Sequence, residues 1–275
     1  MLRNIRQKLS FSIKKSIIKL IPGHNKGKLN ITKKLLFKHR KENEQELLEY
    51  LSSNVKGYIP SYALSQHDEL FKPSQRLIKL CLEFINCAFS EIELGDVAKS
   101  FPREIQEYIY TWPGEHYRLL AAVVKVLQPK NVIEIGTFTG ASTLSMKKYI
   151  PRNSKIITFD IVPWDKYPET GLKNSDFDWQ LEQIVADLSD RAQAVKYYNL
   201  LRRADLIFVD ASKDGITEKI FCDMFDKIGL SNNAIVIFDD IRFVNMIKIW
   251  REIKHPKLDL TPFAHWSGTG IVEWG

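Results

Sequence analysis

Two stretches of the chain put acids where strands should stop. They are Asp205-Leu-Ile-Phe-Val-Asp210-Ala-Ser-Lys213-Asp214 and Ile235-Val-Ile-Phe-Asp239-Asp240. Each opens with a short apolar run rich in β-branched residues, too short for a helix and typical of a strand buried on both faces. If the two strands are neighbours, Asp210, Asp239 and Asp240 converge, and three like charges that close cannot all stay ionised without a counterion. A hard divalent cation held by oxygen ligands meets that need, and Mg²⁺ suits a site with room for substrate oxygens. The alternative is one or two solvated strand-end acids and a helix cap. That reading suffices for one aspartate and is strained for three.

A third stretch, Asn131 to Thr143, reads NVIEIGTFTGAST. The run Val132-Ile133-Glu134-Ile135 stops at Gly136, and Gly140 follows after Thr137-Phe138-Thr139. Small hydroxylated residues then open a helical pattern through Leu144, Met146 and Tyr149. Strand, glycine turn and helix make the first unit of a nucleotide-binding α/β sheet, in which backbone must approach a ligand closely. The spacing G-x-x-x-G lacks the third glycine of a dinucleotide fingerprint, and no lysine follows Gly140 as a phosphate loop requires. What remains is E-x-G-x-x-x-G, with an acid two residues before the turn, a pattern suited to a cationic, zwitterionic ligand.

On these residues the chain resembles motif I of the class I S-adenosylmethionine-dependent methyltransferases. The string Gly136, Thr137, Phe138, Gly140 and Ser142 looks like the catechol and caffeoyl-CoA O-methyltransferase branch. The resemblance covers roughly residues 115–275. It implies a cofactor site for S-adenosyl-L-methionine that includes Glu134, Gly136, Thr137, Gly140 and Ser142. Asp160, which closes ITFD one βα unit later, would accept the ribose hydroxyls; a helix N-cap is its alternative. Asp187, after the third strand, would lie near the adenine amino group or else cap the helix near Asp190. The spacing D-x-x-K-D resembles the catechol O-methyltransferase pattern, which makes Asp210 a metal ligand and Lys213 the candidate general base, the alternative being that Lys213 merely salt-bridges Asp214 or the metal carboxylates. Asp239 and Asp240 match that family's Asp-Asn pair. Asp240 departs from it, and the extra charge should hold the cation more tightly and favour Mn²⁺ or Ca²⁺ as alternatives to Mg²⁺. A neighbouring cation would lower the Lys213 pKa. His116, Tyr117, His265 and Trp266 are secondary candidates, read as packing or surface.

The elements that must position these residues follow from periodicity. Strands are expected at residues 132–135, 155–160, 181–186, 205–210 and 234–239, with helices between them. One of those helices has Ile216, Ile220, Met224 and Ile228 at steps of four. Another carries Phe243, Met246, Ile247, Trp250 and Ile253. The last apolar runs, 258–263 and 270–274, are joined too closely for a helix and must pair antiparallel. The fold class is therefore α/β: a Rossmann-like, doubly wound, seven-stranded, mostly parallel sheet with an antiparallel terminal hairpin. Residues 113–275 form this domain, 42–112 a helical cap, and 1–41 a separate basic segment.

The formal charge of +7 is unevenly placed. Residues 1–41 hold thirteen Lys and Arg and no acid, and the remainder holds 27 basic against 33 acidic residues. Within residues 2–21, Leu2, Ile5, Leu9, Ile13, Ile17, Leu20 and Ile21 recur at steps of three or four with basic residues between them. Pro22-Gly23 should end this basic amphipathic helix, which reads as an interfacial helix on anionic lipid, a helix packed on a partner, or a transit peptide. No run of 18 apolar residues is present. Three cysteines without paired spacing suggest buried thiols in a reducing cytoplasm. The function expected is metal-dependent methyl transfer to a hydroxyl of a small molecule, sugar or glycolipid, in the cytoplasm or on the inner membrane surface. A homo-oligomer is left open. A non-catalytic binding protein on the same fold and another nucleotide-dependent Rossmann-like enzyme are the alternatives. Nothing supports a nucleic-acid substrate.

Overall fold

The computed structural model describes residues 71–275. The basic segment at 2–21 and the first part of the helical region from residue 42 lie outside the described residues.

The described chain opens with helices. In α1 (Gln75–Ser90) the Ser74 hydroxyl accepts from the Leu77 N–H, and Pro73 precedes that cap. A single turn, α2 (Gly95–Ala98), leads to α3 (Arg103–Tyr110), which Pro102 starts. Helix α4 (Tyr117–Leu127) carries the apolar stripe seen in the sequence and ends at left-handed Gln128, just before Pro129. The alternating core follows. Strand β1 (Asn131–Ile135) gives way to α5 (Ala141–Tyr149) and β2 (Lys155–Asp160). Then come β3 (Leu181–Val185), the short helices α6 (Arg191–Ala194) and α7 (Tyr198–Arg202), and β4 (Leu206–Val209). Helix α8 (Thr217–Ile228), β5 (Ile235–Asp239), α9 (Met246–Glu252), β6 (Lys257–Asp259) and β7 (Thr269–Glu273) complete the chain.

The seven strands lie in the order β3-β2-β1-β4-β5-β7-β6. Strands β1 to β5 pair in parallel, and β7 runs antiparallel to both β5 and β6. The expected architecture is therefore found. Because side chains alternate along a strand, each central strand feeds two cores. Leu206, Phe208, Ile235 and Ile237 face one layer, packed with Leu77, Phe84, Leu119 and Val123 of α1 and α4. Ile207, Val209, Val236 and Phe238 face the other, packed with Phe221, Phe225 and Trp250 of α8 and α9. Leu77, Cys81 and Phe84 of α1 thus share their core with the sheet, while the residues from Cys87 to Ile109 pack with Ala121 and Ala122 of α4 and Ala141 of α5.

Two local expectations change. The strand expected to reach Phe263 stops at Asp259, because Pro262 and the turn Thr261–Phe263 interrupt the ladder. The buried face of α8 is Phe221, Cys222, Met224, Phe225 and Ile228, while Ile216 and Ile220 are exposed. A step of exactly four drifts around a helix of 3.6 residues per turn, so that stripe could not stay on one face. All three cysteines are free and buried.

The turn after β1 is tied directly to β4. Gly136 has φ +110°, and a Cβ there would collide with the backbone carbonyl oxygen of Asp210. The replacement Gly136→Ala is expected to cost about 2–4 kcal/mol through combined strain and clash. Urea unfolding of the full chain measures this, and a loss below ~0.5 kcal/mol would show the turn able to relax away from β4.

Candidate active site

The carboxyl ends of the parallel strands carry the chemistry, and sheet order explains why the acids meet. Asp210 directly follows β4, and Asp239 and Asp240 close β5, its neighbour. Their oxygens lie within 4.8 Å of one another. The Lys213 ammonium stands among them, 3.0 Å from Asp210 Oδ1, 3.6 Å from Asp239 Oδ2 and 3.7 Å from Asp240 Oδ2. It also donates to the Asp239 carbonyl at 3.2 Å. In the chain alone, this ammonium pairs with all three carboxylates.

Backbone strain puts the ammonium there. Lys213 and Asp240 both have φ +58°, a left-handed conformation that costs an ordinary side chain about 1 kcal/mol or more. Fully buried Glu218 offsets this by accepting the Lys213 N–H at 2.6 Å, while its Oε2 has no hydrogen-bond partner. Asp214 caps α8, accepting from the N–H groups of Ile216 and Thr217.

Charge fixes the protonation states. Burial pulls the Lys213 pKa down, but Asp210, Asp239 and Asp240 together outweigh it and hold the amine far above its ordinary value. The lowered pKa expected beside a bound cation is a separate case: in the chain alone the three carboxylates raise it. Burial would raise Asp239, yet Lys213, His265 and His116 hold it well below the carboxylate range. For His265 burial works downward, and the bonded Asp239 carboxylate still lifts it to about 9. Burial raises Glu115, beside the same cluster, to about 7.

The two histidines are where the sequence reading fell short. Both are buried: His265 Nε2 lies 2.5 Å from Asp239 Oδ1, and His116 Nδ1 lies 3.3 Å from the same oxygen. The signal was directional. Helix α4 feeds a parallel strand, so its start, at His116, must lie at the carboxyl ends. Strand β7 runs antiparallel, so the loop entering it, with His265, lies there too.

The glycine turn forms the adjoining part. Gly140, at φ +83°, packs against Leu172 with no room for a side chain. Asp160 accepts from the N–H of Phe138 at 2.9 Å and of Val162 at 3.0 Å, tying the turn to β2. Other expected cofactor residues point inward. Glu134 shares the strand face of Val132 and is fully buried, accepting from the hydroxyls of Ser142 and Thr143 at 2.5 Å each. Thr137 bonds Thr158 at 2.7 Å and accepts from Gln183. These side chains tie the turn to its neighbouring elements. Asp187 accepts from the Ser189 N–H and hydroxyl, while Asp190 caps α6.

A divalent cation, which the resemblance implies, can be tested against these donors. Three carboxylates are the hard oxygen set that Mg²⁺, Mn²⁺ or Ca²⁺ requires. They fit it by type, provided the Lys213 ammonium withdraws from their centre.

Fold, glycine turn and acid cluster together resemble those of the class I S-adenosylmethionine-dependent methyltransferases. Within that class the match is to the O-methyltransferase family, whose model matches residues 103–228. The chain is 24% identical over 158 residues to a probable caffeoyl-CoA O-methyltransferase 3 of Dictyostelium discoideum, covering 56% of this chain and 60% of that protein. It is 30% identical over 113 residues to a catechol O-methyltransferase of Niastella koreensis, covering 38% and 46%. The alignments thus span between 46% and 60% of the length of these two curated relatives. Among solved structures, the SAH-bound methyltransferase PaMTH1 of Podospora anserina superposes with a TM-score of 0.46 at 16% identity, over 85% of this chain and 96% of that one. The resemblance read from Gly136 to Ser142 is borne out.

Glu134 yields a pH test. Burial raises its pKa to about 7 from 4.5, only partly opposed by the Ser142 and Thr143 hydroxyls. A raised carboxylate binds its proton more tightly in the folded chain. Its contribution to stability is therefore complete below pH 4.5 and is lost as pH rises through about 7, a change of roughly 3 kcal/mol. Urea unfolding at about pH 5 and about pH 8 should show Glu134→Gln flattening that slope relative to the parent chain. An unchanged slope would assign it to other groups.

Proposed function

We propose that this chain transfers the methyl group of S-adenosyl-L-methionine to a hydroxyl of a small acceptor molecule. The observation that carries the reading is the packing of Gly136 against the Asp210 carbonyl. It sets the nucleoside-type turn directly beside the carboxylate–lysine cluster, as an in-line transfer between two bound partners requires.

Each part of the chain then has a task. The turn from Gly136 to Gly140 presents backbone to the methyl donor, with Glu134, Thr137 and Ser142 fixing its shape. Asp160 would exchange its bond to the Phe138 N–H for the ribose hydroxyls, and Asp187 would lie near the adenine. Asp210, Asp239 and Asp240 would hold a divalent cation such as Mg²⁺, which when bound lowers the pKa of an acceptor hydroxyl and orients it. Lys213, held protonated by the same carboxylates, favours the acceptor oxygen in its anionic form. It becomes a base only when their charge is neutralised.

The acceptor class follows the relatives, which are named for catechol and caffeoyl-CoA. A sugar or glycolipid is the second class, supported only by the basic character of residues 1–41. The same feature supports placement on an anionic membrane surface, with each basic residue contributing roughly 1 kcal/mol there. No helix among the described residues is long and apolar enough to cross a membrane.

Calorimetry with S-adenosylmethionine, followed by transfer of its labelled methyl to catechol and caffeoyl-CoA with and without chelator, tests the reading. Asp160→Ala should weaken S-adenosylmethionine binding about 10-fold or more, in line with the loss of charge-assisted hydrogen bonds. Lys213→Met should bind it normally and lose turnover. Tight binding with no transfer to any hydroxylated acceptor would favour the non-catalytic alternative; no binding at all would end the proposal. For the basic segment, removal of residues 1–22 should abolish co-sedimentation with anionic liposomes. Unchanged co-sedimentation would exclude it as the anchor.

A further inference from the structure

Asp239 is shared between two environments. Its Oδ2 turns to Lys213, whereas Oδ1 turns to the imidazoles of His116 and His265. The proposed function gives the imidazoles no task. His116 Nδ1, His265 Nε2 and a carboxylate oxygen of Asp239 lie within 4.8 Å of one another, and all three residues are buried.

Two details separate this group from a plain hydrogen-bonded cluster. The other ring nitrogen of His265, Nδ1, is 2.7 Å from Ser267 Oγ, which fixes the ring and leaves Nε2 facing Asp239. That is the usual support for a metal-binding histidine, whose free nitrogen is set by the bond the other makes. His116 is 4% exposed, and its Nδ1 points at Asp239 Oδ1 from 3.3 Å, outside the alignment of a good hydrogen bond. An ion placed between this nitrogen and the carboxylate would coordinate both.

We propose that His116 Nδ1, His265 Nε2 and Asp239 Oδ1 form a binding site for a first-row transition dication of the Zn²⁺ or Co²⁺ type, beside the three-carboxylate centre and sharing Asp239 with it. Nitrogen donors select such ions, whereas Mg²⁺ prefers oxygen alone. Donor atoms about 2.0–2.2 Å from a zinc ion stand roughly 3–3.5 Å apart. The 3.3 Å from His116 Nδ1 to Asp239 Oδ1 already fits, and the 2.5 Å from His265 must open slightly. Asp240 Oδ1, 4.0 Å from His265 Nε2, is within reach as a fourth ligand. An ion at the three-carboxylate centre must expel the buried Lys213 ammonium. An ion on the imidazole side leaves it in place.

The test is titration of the metal-stripped full chain with Co²⁺, followed by visible absorption and calorimetry, with Mg²⁺ in parallel. One Co²⁺ should bind with the intense ligand-field bands of nitrogen coordination, at least ~100-fold tighter than Mg²⁺. His116→Ala and His265→Ala should each weaken Co²⁺ binding at least ~10-fold, and Ser267→Ala about 10-fold through the ring it orients. Asp210→Asn should change it less than about 2-fold. Because a histidine variant can misfold, the Co²⁺-loaded parent chain is also examined by proton NMR for paramagnetically shifted imidazole N–H signals. The inference is overturned if those signals are missing, if no saturable Co²⁺ binding occurs, or if Asp210→Asn removes the ion and the histidine variants do not. S-adenosylhomocysteine binding, measured on the same samples, reports separately on the proposed function: a chain that holds Co²⁺ at the imidazoles yet binds no S-adenosylhomocysteine refutes that reading and leaves this one standing.

Discussion

The charge balance at the ends of β4 and β5 is the constraint on which the site depends. A buried ammonium lies 3.0–3.7 Å from each of three carboxylates. Removing such groups from water costs several kcal/mol per ion, and the attraction between them recovers it only with close geometry. That requirement explains features otherwise hard to justify. Two non-glycine residues, Lys213 and Asp240, adopt left-handed backbone within the cluster. A fully buried glutamate, Glu218, spends a carboxylate oxygen on one backbone N–H. The chain tolerates both because they keep the ammonium where three negative charges converge.

Strand direction and pleat then decide what else reaches the cluster. Asp239 shares its face of β5 with Ile235 and Ile237, the face covered by α1 and α4, so the first residue before α4 can meet it. His116 is that residue. Glu134 obeys the same alternation on β1, but the layer it meets is the start of α5, where two hydroxyls receive it. Two acids at the same kind of strand end thus have opposite fates. One stays at the open edge among cations, and the other is sealed under a helix with its pKa raised to about 7.

Much of this was legible in the sequence. Runs as short as LIFV and IVIF can only be strands, and aspartates that stop them must lie at one edge of a parallel sheet. The glycine spacing at 136 and 140 separated this turn from dinucleotide and phosphate loops. What could not be read was the direction of side chains relative to one another. Glu134, Thr137 and Ser142 were assigned to the cofactor site by resemblance, and the hydrogen bonds they make to neighbouring elements were not visible in the sequence. His116 and His265 lie 149 positions apart in the sequence numbering, and only the antiparallel insertion of β7 beside β5 brings them to one carboxylate. For Lys213 the sequence left two readings, a base beside a metal or an ion-pair partner of the carboxylates, and the chain alone shows the ion pairs.

Those ion pairs bear on how the site can work. Methyl transfer from a sulfonium removes a positive charge from the donor and requires an electron-rich oxygen on the acceptor. A lysine with a depressed pKa would help by taking the acceptor's proton. A lysine fixed as an ammonium helps differently, by stabilising the oxygen once it is anionic, an effect strengthened by exclusion of water. The two roles make different demands on the carboxylates. A base needs their charge cancelled, while an ammonium needs it retained. With Asp239 anchored by Lys213 on one oxygen and by two imidazoles on the other, the retained-charge arrangement is the one these side chains maintain unaided. An ion bound on the imidazole side would preserve it, and an ion at the three-carboxylate centre would replace it.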